Sequence, residues 1–198
     1  MFKTFVCLVA AVACGTVLAE VPTGCVTLQS RYSDKYLTTS TRYNCDRRYV
    51  KQSDEPQEWN VVKEGGYYRI VHKNREEELY AAGINYSGQD RYVFTWVDGA
   101  AGDQGKWDIV DAARADGQVL IRNLYYNEHL YAAAFDDFVF SWRPTDPVNG
   151  DEKFYWNITQ FVRSGRGQRD ALLWCIHPVL HWALGSNKIW PHSRKRNL

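Results

Sequence analysis

The hydrophobic positions of this chain follow a pattern that occurs three times. In each copy, two apolar residues at positions i and i+2 are followed, nine residues after the second, by a leucine. The residues between them are polar and rich in turn formers, so each copy predicts a β-hairpin. The three copies are Val26 and Leu28 before Leu37, Tyr68 and Ile70 before Leu79, and Val119 and Ile121 before Leu130.

Each copy ends with a tryptophan, one polar residue and a β-branched residue. These triplets begin at Trp59, Trp107 and Trp156, so they lie 48 and 49 residues apart. Another apolar segment precedes each triplet, at residues 49–50, 92–96 and 138–142. The pattern therefore predicts four strands in each of three repeats.

Three four-stranded repeats favour one fold class. A single unit of this size leaves its large apolar side chains exposed, whereas three units around a common axis bury them in layers. Propellers use about four to eight blades, and a sandwich does not require threefold repetition. We therefore expect an all-β protein, a β-trefoil over residues 20–162, with repeats at about 25–66, 67–117 and 118–162.

The beginning of the chain is typical of a secretory signal peptide. Within residues 1–19, Lys3 precedes an apolar run, and the small-residue pattern Val17-Leu18-Ala19 predicts cleavage before Glu20. The run is shorter than the roughly 20 apolar residues that a membrane anchor needs. We therefore expect a secreted, extracellular protein without a membrane span.

The end of the chain, residues 163–198, differs from the body in charge. It carries 7 Lys or Arg and 1 Asp or Glu, whereas residues 20–162 carry 16 and 22. An acidic body repels phosphate groups, which argues against a nucleic-acid partner. The tail contains an apolar stretch of only 14 residues, 171–184. Three interpretations of the tail stay open: a short packed helix, a partner surface, or a product of an incorrect gene model.

Secretion gives meaning to the cysteines and to two asparagines. Cys25 and Cys45 lie on either side of one predicted hairpin, so we expect them to form a disulfide, which leaves Cys175 free or linking two chains. The triplets that begin at Asn85 and Asn157 are acceptors for N-glycosylation.

The sequence offers little for catalysis or metal binding. His72 and His129 occupy different offsets in their repeats, and no nucleophile elbow or phosphate-binding loop occurs. His177 and His181 have a spacing that metal ligands on a helix use, but Pro178 lies between them. We expect no enzyme activity, no metal and no cofactor.

Ligand binding is the remaining function. Trp96 and Trp142 occupy matching places at the ends of their strands, and Asp90 and Asp136 precede them. A sugar stacks its apolar face on an aromatic ring while carboxylates accept hydrogen bonds from its hydroxyl groups, so these four residues predict a carbohydrate site. The alternative is that both indoles fill the space between sheet and loops.

Three stretches also resemble a known family. Residues 74–82, 92–96 and 139–144 are similar to the trefoil domain of the insect microvitellogenin and small haemolymph lipoprotein family. The resemblance covers about residues 67–162. It implies a β-trefoil that is secreted into haemolymph or eggs, is not an enzyme, and serves in storage, sugar binding or transport of small ligands.

We therefore expect a secreted storage or binding protein, with carbohydrate as the favoured ligand and a small apolar ligand as another. A trefoil-type protease inhibitor is the alternative from another functional class. That role needs an exposed loop with a suitable primary residue, and Arg47-Arg48 beside Cys45 is the candidate.

Overall fold

The computed structural model describes residues 20–97, 99–112, 117–143 and 150–161. The predictions about the signal peptide, the tail, Cys175, His177 and His181 lie outside these residues. The described residues form twelve strands: β1 (Gly24–Ser30), β2 (Tyr36–Asn44), β3 (Arg47–Ser53), β4 (Trp59–Glu64), β5 (Tyr67–His72), β6 (Glu77–Ser87), β7 (Asp90–Trp96), β8 (Trp107–Asp111), β9 (Val119–Asn123), β10 (Glu128–Ala132), β11 (Val139–Trp142) and β12 (Tyr155–Gln160). Short 3-10 helices cover Gly102–Gly105 and Glu152–Phe154.

Six of these strands close into a ring by antiparallel pairing. β1 pairs with β4 and β12, β5 pairs with β4 and β8, and β9 pairs with β8 and β12. Alternate residues of each strand point into the ring, which is why the apolar residues recur at i and i+2.

The other six strands form three hairpins, β2–β3, β6–β7 and β10–β11, which together cap the ring. β7 pairs with both β3 and β11. An isolated bridge between Lys51 and Phe138 joins β3 to the end of β10–β11 and completes the triangle of hairpins. The described chain is therefore all-β and β-trefoil-like, with two ring strands and one cap hairpin in each repeat.

The core lies on the axis that relates the repeats. Trp59, Trp107 and Trp156 are fully buried, as are the three leucines of the repeat pattern. Each indole Nε1 donates a hydrogen bond to the carbonyl of the leucine in its own repeat, with distances of 2.9, 2.9 and 3.1 Å. The prediction that tryptophan, leucine and aliphatic triplets share one core is confirmed.

The predicted disulfide between Cys25 and Cys45 is wrong. Cys45 has a free, exposed thiol in the turn of the β2–β3 hairpin, at a φ of +54°. Cys25 is buried in the ring and is disulfide-bonded, but its partner is not Cys45. The hairpin turns away from β1 toward the second repeat, where Val97 N donates to the Asp46 carbonyl at 2.8 Å. Proximity in sequence therefore did not become proximity in space.

Candidate functional site

The cap contains three places where neighbouring hairpins meet, and we call them junctions. β3 meets β7 at the first junction, β7 meets β11 at the second, and β11 meets β3 at the third. The threefold repeat predicts similar side chains at all three. The first two junctions follow this prediction, and the third does not.

At the first junction, a buried ion pair fills the space between the hairpins. Arg48 Nε donates to both Glu77 carboxylate oxygens at 2.8 and 2.9 Å, and Thr95 Oγ1 donates to the same carboxylate at 2.6 Å. Burial alone would raise the pKa of Glu77, but the hydrogen bonds from Arg48 and Thr95 outweigh it and hold that pKa below its usual value. The carboxylate is therefore ionised, and both of its oxygens accept hydrogen bonds from other residues of the protein.

The second junction repeats this arrangement with equivalent residues. Arg91 donates to both Glu128 oxygens, from Nε at 2.7 Å and from Nη2 at 3.0 Å, and Ser141 Oγ donates at 2.9 Å. Glu77 and Glu128 each stand two residues before the leucine of their repeat. Both junctions are therefore sealed by an arginine, a glutamate and a hydroxyl group.

At the third junction the charges are inverted and exposed. Lys35 stands two residues before Leu37, where the other repeats have glutamate, and Asp137 takes the place of arginine. Lys35 Nζ donates to Asp137 Oδ1 at 2.6 Å, and both side chains are partly exposed. Hydrogen bonding to Asp137 raises the pKa of Lys35.

Gln52 replaces the hydroxyl residue at this junction and supports its wall. Its Nε2 donates to the carbonyls of Ala133 at 2.9 Å and Phe138 at 3.0 Å, and its Oε1 accepts from Ser33 Oγ at 2.5 Å. Gln52 is almost fully buried. The floor of the junction is therefore held by internal hydrogen bonds, while its charged pair faces outward.

A shorter hairpin explains why the third junction is open. Val50 follows Leu37 by 13 residues and Val93 follows Leu79 by 14, but Val139 follows Leu130 by only 9. The short β10–β11 hairpin therefore turns at the junction itself. Asp136 and Asp137 occupy this turn at φ of +53° and +54°.

A cavity of about 210 Å³ remains where the sealed junctions hold an arginine side chain. Two aromatic rings on its wall are substantially exposed, Tyr32 at 44 % and Phe135 at 43 %. Asp136, Asp137, Lys35 and Ser33 also line it. Rings that offer an apolar face beside groups that accept and donate hydrogen bonds are suited to a polyhydroxylated ligand.

The structure separates the predicted site residues into different junctions. Asp90 and Trp96 lie at opposite ends of β7, and six residues of extended strand span about 20 Å. Asp90 instead accepts a hydrogen bond from Tyr131 on the neighbouring hairpin at 2.5 Å. That hairpin carries Trp142, so Asp90 and Trp142 come together at the second junction, and Asp136 lies alone at the third.

Both predicted indoles make extensive internal contacts. Trp96 packs edge-on against Tyr80, with ring centroids 5.6 Å apart. Trp142 stacks on Phe154 at 5.8 Å and donates from Nε1 to Gln89 at 2.6 Å. Burial raises the pKa of Tyr131, and its hydrogen bond to Asp90 adds to this shift. Much of the binding capacity of these groups is therefore used within the fold.

Sequence reasoning missed Tyr32, Lys35, Phe135 and Asp137. Two features of the repeat alignment carried this information: the short interval between Leu130 and Val139, and a lysine where the other repeats have glutamate. Departure from the repeat, rather than agreement with it, marked the open junction.

The remaining predicted positions are placed as follows. Asn85 is exposed on β6, and Asn157 is partly buried on β12. Arg47 and Arg48 belong to β3 and pair with β7, so they do not form the exposed loop that a protease inhibitor needs.

The helices found in the described ranges are too short and polar to cross a membrane. Within those ranges, no cluster of three or more His, Cys, Asp or Glu residues is placed to hold a metal ion.

Two solved structures of mosquito proteins are similar to this chain. A salivary protein from Culex quinquefasciatus, of the Cysteine and Tryptophan-Rich (CWRC) family, is 30 % identical with a TM-score of 0.65, over 73 % of this chain and 99 % of that chain. A second salivary protein of the same species and family is 25 % identical with a TM-score of 0.62, over 73 % and 97 %.

The designed threefold-symmetric protein ThreeFoil shares the fold at 21 % identity, with a TM-score of 0.58 over 70 % of this chain and 99 % of that chain. No protein-family model matches the sequence, and no curated protein matches it. These findings support the β-trefoil-like fold that the sequence predicts. They do not support the microvitellogenin family, whose resemblance to this chain rested on segments within the repeats.

Proposed function

This chain belongs to the Cysteine and Tryptophan-Rich family, and from that premise we propose that it is a secreted, non-enzymatic protein that binds carbohydrate at its third junction. Secretion is supported by the salivary origin of the two mosquito relatives and by the signal-peptide pattern of residues 1–19. Storage in an extracellular fluid is compatible with the same properties.

The observation that carries the proposal is the contrast between the junctions. Two of them bury their charges in internal hydrogen bonds, whereas the third leaves a cavity with two exposed rings and an unshared carboxylate. Sugar rings need both an aromatic face and hydrogen-bond acceptors. Among the described residues, Tyr32, Phe135 and Asp136 offer this combination on the wall of a preformed cavity.

The absence of catalysis is proposed from the positions of the two described histidines. His72 packs against Trp59 and shares a hydrogen bond with Gln57, and His129 lies against Phe154. Both are enclosed by structural contacts, and burial is the main cause that lowers the pKa of each imidazole. Neither lines the third-junction cavity.

A glycan array with matched variants tests the proposal. In the sealing variant, Lys35→Glu with Asp137→Arg, the third junction acquires the charges of the other two and its net charge does not change. We expect the wild-type protein to be retained on at least one glycan, and the sealing variant and Phe135→Ala to lose that retention. Circular dichroism and thermal unfolding would establish that both variants are folded.

The predicted tryptophan sites provide the contrasting variants. Trp96→Ala and Trp142→Ala are expected to keep glycan retention because their indoles pack against protein. Loss of retention in either of these, with retention kept by the sealing variant, would move the site to the indoles and to Asp90. Retention on no glycan would reject carbohydrate binding, and loss of trypsin-like protease activity on titration with the protein would then favour an inhibitor.

A further inference from the structure

We infer that the ligand of the third junction carries an ammonium group, as a sugar unit with a free amine does. This inference rests on the proposed function and names the chemistry of its ligand. Three charged side chains line the cavity: Lys35, Asp136 and Asp137. Lys35 and Asp137 neutralise each other in an ion pair of 2.6 Å. No described residue forms a hydrogen bond or ion pair with Asp136. A negative charge is therefore left on the wall.

The aromatic rings on the wall suit a cation as well as a sugar face. An ammonium is attracted to the negative face of an aromatic ring within about 6 Å of its centroid. Tyr32 already has such a contact at the edge of the cavity, because Lys153 Nζ lies 5.6 Å from its ring centroid. Phe135 has its exposed ring available on the same wall.

The charge of the surrounding protein also favours a cationic ligand. The negative charge of Asp54 acts on Lys35, which adds a carboxylate near the junction, while Lys153 adds an ammonium group at Tyr32. Residues 20–162 as a whole carry 16 basic and 22 acidic side chains. A negative field raises the local concentration of cations and lowers that of anions, so sulfated or sialylated glycans are disfavoured.

Two oligosaccharides that differ only in charge test the inference. A glucosamine tetramer has free amines, whereas the N-acetylglucosamine tetramer has neutral amides on the same ring skeleton. We would measure the affinity of the secreted, full-length protein for each by titration calorimetry, in slightly acidic buffer at low and at high salt. We expect about a tenfold preference for the glucosamine tetramer at low salt, decreasing as salt screens the charges.

One matched pair of variants, together with the sealing variant, locates this preference. Asp136→Asn and Asp46→Asn each remove one exposed carboxylate, but Asp46 pairs with Arg47 away from the cavity. We expect Asp136→Asn to bind both tetramers equally and Asp46→Asn to keep the preference. The sealing variant has the wild-type net charge and is expected to bind neither tetramer.

The outcomes separate this inference from the proposed function. Equal wild-type affinities, a preference for the acetylated tetramer, or a preference that Asp136→Asn retains would overturn the ammonium requirement while leaving carbohydrate binding intact. A preference that the sealing variant retains would assign binding to overall charge and would also overturn it. If wild type binds neither tetramer but is retained on a neutral glycan, only the inference fails. If no glycan is bound at all, the proposed function fails with it.

Discussion

The first and third junctions of the cap use the same positions for opposite purposes. At the first, Arg48 and Glu77 are buried and share their hydrogen bonds with Thr95. At the third, Lys35 and Asp137 exchange the signs of these charges, lie at the surface and leave a cavity beside them. The difference shows how a repeat protein can bury the charges of two junctions and leave a cavity at the third.

Removing the arginine of the sealed junction should have the largest effect on stability. Arg48→Ala leaves the Glu77 carboxylate buried without its charged partner, which costs about 3–5 kcal/mol of unfolding free energy. Lys35→Ala at the third junction should leave the urea midpoint almost unchanged, because exposed ion pairs contribute little. Urea unfolding followed by tryptophan fluorescence would measure both.

The charge-conserving variant Arg48→Lys is the control for this comparison. It keeps the ion pair but loses the planar guanidinium whose Nε contacts both carboxylate oxygens, so its cost should fall between those of wild type and Arg48→Ala. Equal losses from Arg48→Ala and Lys35→Ala would contradict the distinction between sealed and open junctions.

Acidification should weaken the sealed side through His72. Burial, followed by the charge of Arg75, lowers the pKa of His72 from 6.5 to about 4. Between these values the unfolded chain binds the proton and the folded chain does not, so stability rises with pH and is lost as pH falls from 6.5 toward 4. Within this window, each pH unit of acidification lowers the unfolding free energy by about 1.4 kcal/mol.

Replacing the imidazole would show its share of this pH dependence. His72→Asn introduces the residue that the third repeat has at the equivalent position, Asn123. We expect unfolding free energies measured between pH 4 and 6.5 to vary less steeply in the variant, by about one proton. His129, whose pKa burial also lowers, should account for part of the slope that remains. An unchanged slope would show that His72 does not titrate in this window.

Labelling of Cys45 should have the smallest effect on stability. Its thiol is exposed in the hairpin turn of the first junction, so one maleimide per native chain is expected there without reductant. The label should be absent from Cys45→Ser in peptide mass mapping, and it should change neither the melting temperature nor glycan retention. An unreactive Cys45 would instead indicate that it is paired.

The fold was largely predictable because its core is periodic. Leu37, Leu79 and Leu130 recur with the tryptophans at nearly constant intervals, and the alternation of each strand places them on one face. The acceptor of each indole hydrogen bond was not predicted, since it is a carbonyl about 22 to 28 residues away that only the folded ring brings near.

The site was predicted only in part, because it is formed between repeats. Asp136 was identified, but it was predicted to act together with Trp142 because the two are close in sequence. Pairing between hairpins instead brings Trp142 close to Asp90. The disulfide prediction was wrong for a related reason. Separation along the chain does not show which way a hairpin turns, and the β2–β3 hairpin turns away from Cys25.

The amino-acid sequence by itself determined the repeat, the strand periodicity and the identity of the core, because these depend on local spacing and on burial of apolar surface. It also contained the shortened third hairpin and the exchanged charges of Lys35 and Asp137. The tertiary structure alone decided which residues face one another across the junctions. Side chains far apart in sequence seal two of these junctions and leave a cavity in the third.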